Sequence, residues 1–309
     1  PLAFATRTFA NFEDQMLAVR SVTGAVGDEF DRLNDQAKRL GRTTSFTAAE
    51  VASGMLSLGR AGFKSSEIEA AIPGVLNLAR ATGTDLAQSA DIAAGTLRAF
   101  ALEADQMSRV TDVLVATANN SAQTLEDLGE SMKYVAPIAE EYGMSLEQTA
   151  KAVGALANMQ IKGSMAGTSM RQIMLRLADP AVQKQLRAAG VEALDASKNL
   201  RPEGDILLEL GQAMQGMTNA ERISLGKDLF DQRAAGAALK LAKSDFPALA
   251  DAIDNAGGIA EKTAETMDSG LGGSFRRLMS ALEGIQIAVG EALSGALSGV
   301  MDRLATFAV

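Results

Sequence analysis

Three groups of carboxylates stand close enough in the chain to do acid–base chemistry together: Glu67 with Glu69, Glu126 with Asp127, and Glu140 with Glu141. Two acids flanking a glycosidic bond are the machinery of sugar hydrolysis, and a helical enzyme that cuts cell-wall peptidoglycan needs little more. Sugar clefts present aromatic faces, however, and this chain has no Trp and only Tyr134 and Tyr142. Each acid group also falls where a solvated helix face calls for acids. The residues therefore argue for a non-enzymatic protein, with no catalytic, metal-ligating or cofactor-binding residues.

The missing residue types narrow the chemistry further. There is no Cys and no His, so disulfides, thiolate chemistry, ordinary zinc sites and Ser-His or Cys-His catalysis are all impossible. A glycine-rich stretch, Gly163-Ser-Met-Ala-Gly167-Thr-Ser-Met-Arg171, invites comparison with a phosphate loop. That loop needs a preceding strand, four residues between its glycines, and Lys before Ser or Thr. Here a helix precedes, three residues intervene and no Lys follows. Lys162, Arg171 and Arg176 make an anion site conceivable, but pairing with acids on neighbouring helices is the simpler role for these arginines.

The stretch 158–177 reads instead as a packing elbow. A helix beginning near Ser145 enters it. Gly163 can take a positive φ, Ser164 can cap the next helix, and the two glycines, Gly163 and Gly167, break or bend the chain there. The departing helix carries Met170, Ile173, Met174 and Leu177 on one face. Gly163, Ser164, Gly167 and Arg171 are the expected structural residues of this elbow.

The elements around the elbow announce themselves by their caps. Capping-box patterns occur at Thr47–Glu50, Ser66–Glu69, Ser145–Gln148 and Thr218–Glu221. Thr84-Asp85, Thr124, Asp179-Pro180 and Ser244-Asp245 mark further helix starts. Gly62-Phe63, Gly143-Met144 and Gly190-Val191 each pair a glycine with an apolar residue, the pattern of a Schellman end. Pro73 and Pro137 lie inside helical patterns and should bend them. Residues 191–204 are less regular.

Apolar residues make up 47% of the 309, aromatics only 4%. Small aliphatics at this density suit close helix packing and disfavour a β core. The expected fold is all-α: a multi-helix bundle of short helical hairpins followed by a long amphipathic C-terminal helix. The expected domains are a helical core over 1–190, a second helical subdomain over 191–270, and the amphipathic helix over 271–309. A net charge of −9 opposes nucleic-acid binding, which wants a basic footprint. No signal peptide and no run of 18 uncharged apolar residues is visible. Both ends fall inside apolar helical patterns and look cut from something longer.

The last segment is distinct. Phe275, Leu278, Leu282, Ile285, Val289, Leu293, Ala296, Val300, Leu304 and Phe307 step by threes and fours, a stripe along about 50 Å of helix. Gly284, Gly290, Gly295 and Gly299 weaken such a helix unless another packs closely against it. The stripe is expected to pack on sister copies or on the chain's own body. Insertion into a bilayer is the alternative, prompted by the spacing of Gly295 and Gly299. Glu283, Glu291, Asp302 and Arg303 count against simple spanning.

The elbow pattern (Asn158, Ile161, Gly163-Ser164, Ala166-Gly167-Thr168, Arg171, Arg176-Leu177) resembles the central signature of phage tail tape-measure proteins in their minor-tail core domain. The resemblance runs through the chain in family order. It takes in Phe12-Glu13 with Met16, Val19 and Gly24, then Leu40-Gly41 through Phe46-Thr47 to Glu50-Val51, and Arg60-Ala61-Gly62-Phe63. It continues through Ile72-Pro73-Gly74-Val75 to Leu78-Ala79, Asp85-Leu86-Ala87, Arg109–Asp112, the Tyr134 region and Lys262 to Met267. It implies a virion protein that sets tail length during assembly and assists genome delivery through the host envelope. Its place would be the tail lumen or tail tip, after a stay in the host cytoplasm during assembly. Its partners would be sister copies in a trimer or hexamer, tail tube, tail tip or baseplate hub proteins, and tail-assembly chaperones. Membrane contact through 271–309 stays open. A chain of this length folded as hairpins cannot span a tail, so the ruler itself is expected beyond Val309. Three rivals remain: a tail-borne peptidoglycan hydrolase, a membrane-active helical module, and a helical scaffold with no phage role.

Overall fold

Most helix ends fall where side chains or glycines can satisfy the backbone groups that a helix leaves unpaired. In a computed structural model of the chain, the described residues are 2–243 and 246–307, with side chains described for 3–243 and 246–294. The expected start at Ser244-Asp245 lies outside the described residues. The elements run α1 Leu2–Thr23, α2 Asp28–Thr43, α3 Ala48–Arg60, α4 Ser65–Thr82 and α5 Leu86–Ala99. A 3-10 turn at Ala104–Gln106 leads into α6 Met107–Asn119, α7 Leu125–Glu141, α8 Leu146–Asn158 and α9 Gly163–Leu177. There follow α10 Pro180–Ala188, α11 Glu203–Ala213, α12 Asn219–Leu241, α13 Pro247–Asp254, α14 Ile259–Asp268 and α15 Leu271–Phe307. Among the described residues there is no β-strand; a single bridge pairs Leu194 with Leu200 in the irregular 191–204 stretch. The all-α reading holds.

The caps explain the boundaries. Thr47, Ser145 and Thr218 form the reciprocal boxes expected of them with Glu50, Gln148 and Glu221. Thr124 accepts from the Asp127 N–H, and Asp179 accepts from the Ala181 N–H with Pro180 in the first turn. The three Schellman ends are all present. Phe63, Met144 and Val191 donate their N–H groups to Leu58, Ala139 and Leu186, and each preceding glycine has a positive φ. One start is corrected: α4 begins at Ser65, and the Glu67 carboxylate accepts from the Lys64 N–H at 2.7 Å. The charged side chain one turn in does the capping there, so the Ser66 hydroxyl is not used.

The chain gathers into two units, 1–91 with 261–309, and 92–260. The borders expected at 190 and 270 fall inside the second and first unit respectively. In the first unit α15 packs on α1 and α2, and α3 packs on α1, α2 and α4. Phe12, Met16, Leu33, Met55, Leu58, Ile68 and Ile72 form its core. In the second unit α9 packs on α7, α12 and α8, and α13 covers α6 and α8. Asp112 fixes the entry to α14 there: its carboxylate accepts from the Gly258 and Ala260 N–H groups at 2.8 and 2.9 Å. An acid at a helix N-terminus also meets the favourable end of the helix dipole.

Candidate functional site

The elbow is built by a close approach. Gly167 sits on α9 where it meets α7, and a Cβ there would run into the Ser131 carbonyl oxygen and the Tyr134 Cβ. The Ser131 hydroxyl donates to the Gly163 carbonyl at 2.9 Å. Gly163 has φ 56°, as the sequence requires. Met170, Ile173, Met174 and Leu177 are all fully buried.

Ser164 is not the cap. The helix already starts at Gly163, so Lys162 occupies the capping position and gives no side-chain bond, while Ser164 lies exposed in the first turn. The preceding helix closes on Gln160, which takes φ 64° while Ile161 donates back to Leu156 at 2.9 Å. This is a Schellman end without glycine, and nothing in the residue type announced it. Arg171 points to solvent. Arg176 is engaged: it donates to the carbonyls of Leu229 and Asp228 and pairs with Asp179 at 3.2 Å. A guanidinium so committed leaves little of the anion site that Lys162, Arg171 and Arg176 suggested.

α15 presents the opposite picture. It lies on the first unit by its small residues. A Cβ at Gly290 would meet the Phe9 side chain and the Ala5 carbonyl, and one at Gly284 would meet Arg42. Ser280 and Ile287 are buried on this face. Polar bonds flank the contact: Thr8 to Gln286 at 3.0 Å, the Ala49 N–H to Glu283 at 3.3 Å, and Lys38 to Glu291 at 2.7 Å. At its start, Asp268 pairs with Arg80 at 2.7 Å and Arg276 at 2.9 Å. Burial pushes the Asp268 carboxyl up, but Ser45 and the two arginines outweigh it and hold the group below its ordinary range.

The apolar stripe faces away from this contact. Phe275 is 61% exposed, Leu278 55%, Leu282 41%, Ile285 61% and Val289 39%. Leu271 and Met279 extend the row, and Leu293 is half-buried. Val300 and Leu304 continue on the helix, with side chains outside the described residues. A row of large apolar side chains left in water on one helix marks an interaction surface rather than a core face.

The acids considered for catalysis lie along helix ends and faces, with Glu126 and Asp127 in the first turn of α7. Glu67 caps α4, Glu69 pairs with Arg32 at 3.1 Å, and Glu140 and Glu141 are exposed at the end of α7. None lines an apolar cleft of the second unit. That cleft, of about 380 Å³, is bounded by Ala152, Ala155, Leu207, Leu241 and Leu249 and includes Glu203. Burial pushes the Glu203 carboxyl up to about 7, with Asp205 adding to the shift. Sequence reasoning passed over this acid because Pro202-Glu203 reads as an ordinary solvated helix start. Among the described residues, no helix is long and apolar enough to cross a membrane.

A family model described as "Phage-related minor tail protein" matches residues 34–231. The chain is 38% identical over 298 residues to the tape measure protein of Pneumococcus phage Dp-1, covering 95% of this chain and 26% of that relative. It is 31% identical over 296 residues to the probable tape measure protein of Escherichia phage P2, covering 93% of this chain and 36% of the relative. The probable tape measure protein of Clostridium phage phiCD119 is 25% identical over 293 residues. The chain thus spans roughly a quarter to a third of the length of these relatives. No solved structure matches it.

Proposed function

The chain belongs to the phage-related minor tail protein family, and from that premise we propose that it is the folded domain of a tape-measure protein, with α15 as its assembly seam. Tape-measure relatives aligned along nearly the whole chain support the tail role. The exposed row from Leu271 to Val289 supports the seam, because a helix that already packs on its own unit by glycines keeps its large side chains for another partner. Sister copies, three or six to a tail, bring identical rows together, the arrangement a helical coil wants. The ruler is then sequence outside this chain. The domain works in the virion, at the tail lumen or tip, where it meets tube, tip or baseplate hub proteins, and in the host cytoplasm it meets tail-assembly chaperones. Its role is structural, not enzymatic.

The test of the length role is made in the phage. Inserting forty helix-forming residues into the full-length protein outside this domain should lengthen tails by about 60 Å, read by electron microscopy. Tails of unchanged length would overturn it. Serine at Phe275, Leu282 and Ile285 together should lower tail yield without changing the length of the tails that form. Normal yield would remove the seam from the proposal.

A further inference from the structure

The cleft of the second unit holds an acid that its surroundings leave unanswered. The walls are apolar: Ala152 and Ala155 of α8, Leu207 of α11, Leu241 at the end of α12 and Leu249 of α13. Leu208 also lines the cleft and stays 51% exposed. At about 380 Å³ the space lies at the small end of ligand pockets. Such pockets combine apolar walls with a few polar groups that orient what enters.

The polar group here is Glu203, in the first turn of α11. Its residue is only 4% exposed. The carboxylate leans on the N–H groups of Glu203 and Gly204, yet among the described residues no group bonds to Oε2. A buried carboxylate needs hydrogen bonds and a counter-charge. The cations of these segments are committed elsewhere: Lys151 in the cleft wall pairs with Asp254 at 2.5 Å, and Arg201 before α11 pairs with Glu209 at 2.6 Å. Gln148, also in the wall, is held in the Ser145 cap. Asp205, a second acid lining the cleft, adds negative charge instead of relieving it.

We propose that this cleft is a binding site for a small apolar amine, whose hydrocarbon body lies against Leu207, Leu241 and Leu249 and whose ammonium group donates to Oε2 of Glu203. The ammonium brings the missing donor and the missing counter-charge in one group. An alcohol brings the donor alone, and a carboxylate would set a third negative charge beside Glu203 and Asp205. Charge-assisted hydrogen bonds are the stronger kind, and apolar walls strengthen them further. The site lies wholly within the second unit and does not rest on the tape-measure reading.

The test titrates n-hexylamine, n-hexanol and hexanoate into the 309-residue chain at pH 8, read by calorimetry. Burial pushes the Glu203 carboxyl up to about 7, so at pH 8 it is ionised while an alkylamine is still a cation. n-Hexylamine should saturate and bind about tenfold or more tighter than n-hexanol, and hexanoate should bind weakest. Glu203→Gln, which keeps the shape of the side chain, should bring n-hexylamine down to the level of n-hexanol. Ala152→Leu, which fills the cleft from α8, should weaken both. The inference is overturned if n-hexylamine binds no tighter than n-hexanol, if no probe saturates, or if the preference for the amine survives Glu203→Gln. Unchanged amine affinity in Ala152→Leu would overturn it equally, which keeps the test decisive should Glu203→Gln fail to fold.

Discussion

α9 and α15 carry the same apolar rhythm and meet opposite fates. The stripe of α9, Met170 to Leu177, is sealed in the second unit, while that of α15, Phe275 to Val289, stands in water. Both helices dock through glycine: Gly167 against the backbone of α7, Gly290 against α1. The difference lies in where the glycine sits relative to the stripe. In α9 both lie against the body of the unit. In α15 the glycine face docks and the stripe is left over. Periodicity tells that a helix has an apolar face; the positions of its small residues tell which face meets the fold.

The contrast breaks most sharply at Gly167. A Cβ there meets main chain, which cannot swing aside, so Gly167→Ala should cost about 3 kcal/mol in urea unfolding of the second unit. Met174→Ala, which empties a sealed site on the same helix, should cost about 2–5 kcal/mol. Ile285→Ser on α15 should change unfolding free energy by less than about 0.5 kcal/mol under dilute conditions. A large loss there would mean that the stripe is core after all.

A second contrast is electrostatic. Glu203 is buried with its acid raised to about 7; on α15, Glu283 is half-buried and burial pushes its carboxyl up as well, while Glu291 stands exposed. The folded chain holds the Glu203 proton more tightly than the unfolded chain, whose value is 4.5. The stability this confers is complete below pH 4.5 and is lost as pH rises to 7, a fall of about 3 kcal/mol. Denaturant melts of the second unit at pH 5 and pH 7.5 should show about 2 kcal/mol of that fall, and Glu203→Gln should remove it. The smallest expected effect is at the elbow entry: Gln160→Gly should stabilise by about 0.5–1 kcal/mol, by relieving a left-handed conformation at a residue with a Cβ.

These contrasts also mark how far the chain could be read unaided. Thr47, Thr124, Ser145, Asp179 and Thr218 cap as their types foretold, because a cap is decided within four residues. The Schellman glycines were legible for the same reason. The end at Gln160 and the raised acid at Glu203 were not. Gln160 takes a left-handed conformation that its residue type does not announce, and the Glu203 acid is raised by burial that only the packed fold supplies. Gly163 takes the positive φ that its type allows, while Gly167 lies inside α9 and serves a close approach to α7 rather than a break; Ser164 gives no cap because the helix starts one residue earlier. The stripe of α15 was legible as a pattern, but its exposure depends on Gly290 meeting Phe9 and Ala5.

Removing α15 would uncover α1, so the seam is better tested by substitution than by truncation at Gly270. The most direct measurement is molar mass by light scattering of the 309-residue chain and of its Phe275→Ser, Leu282→Ser, Ile285→Ser variant. The account predicts a trimer or hexamer for the first and a folded monomer for the second. A monomer in both cases, or an oligomer that survives the substitutions, would contradict it.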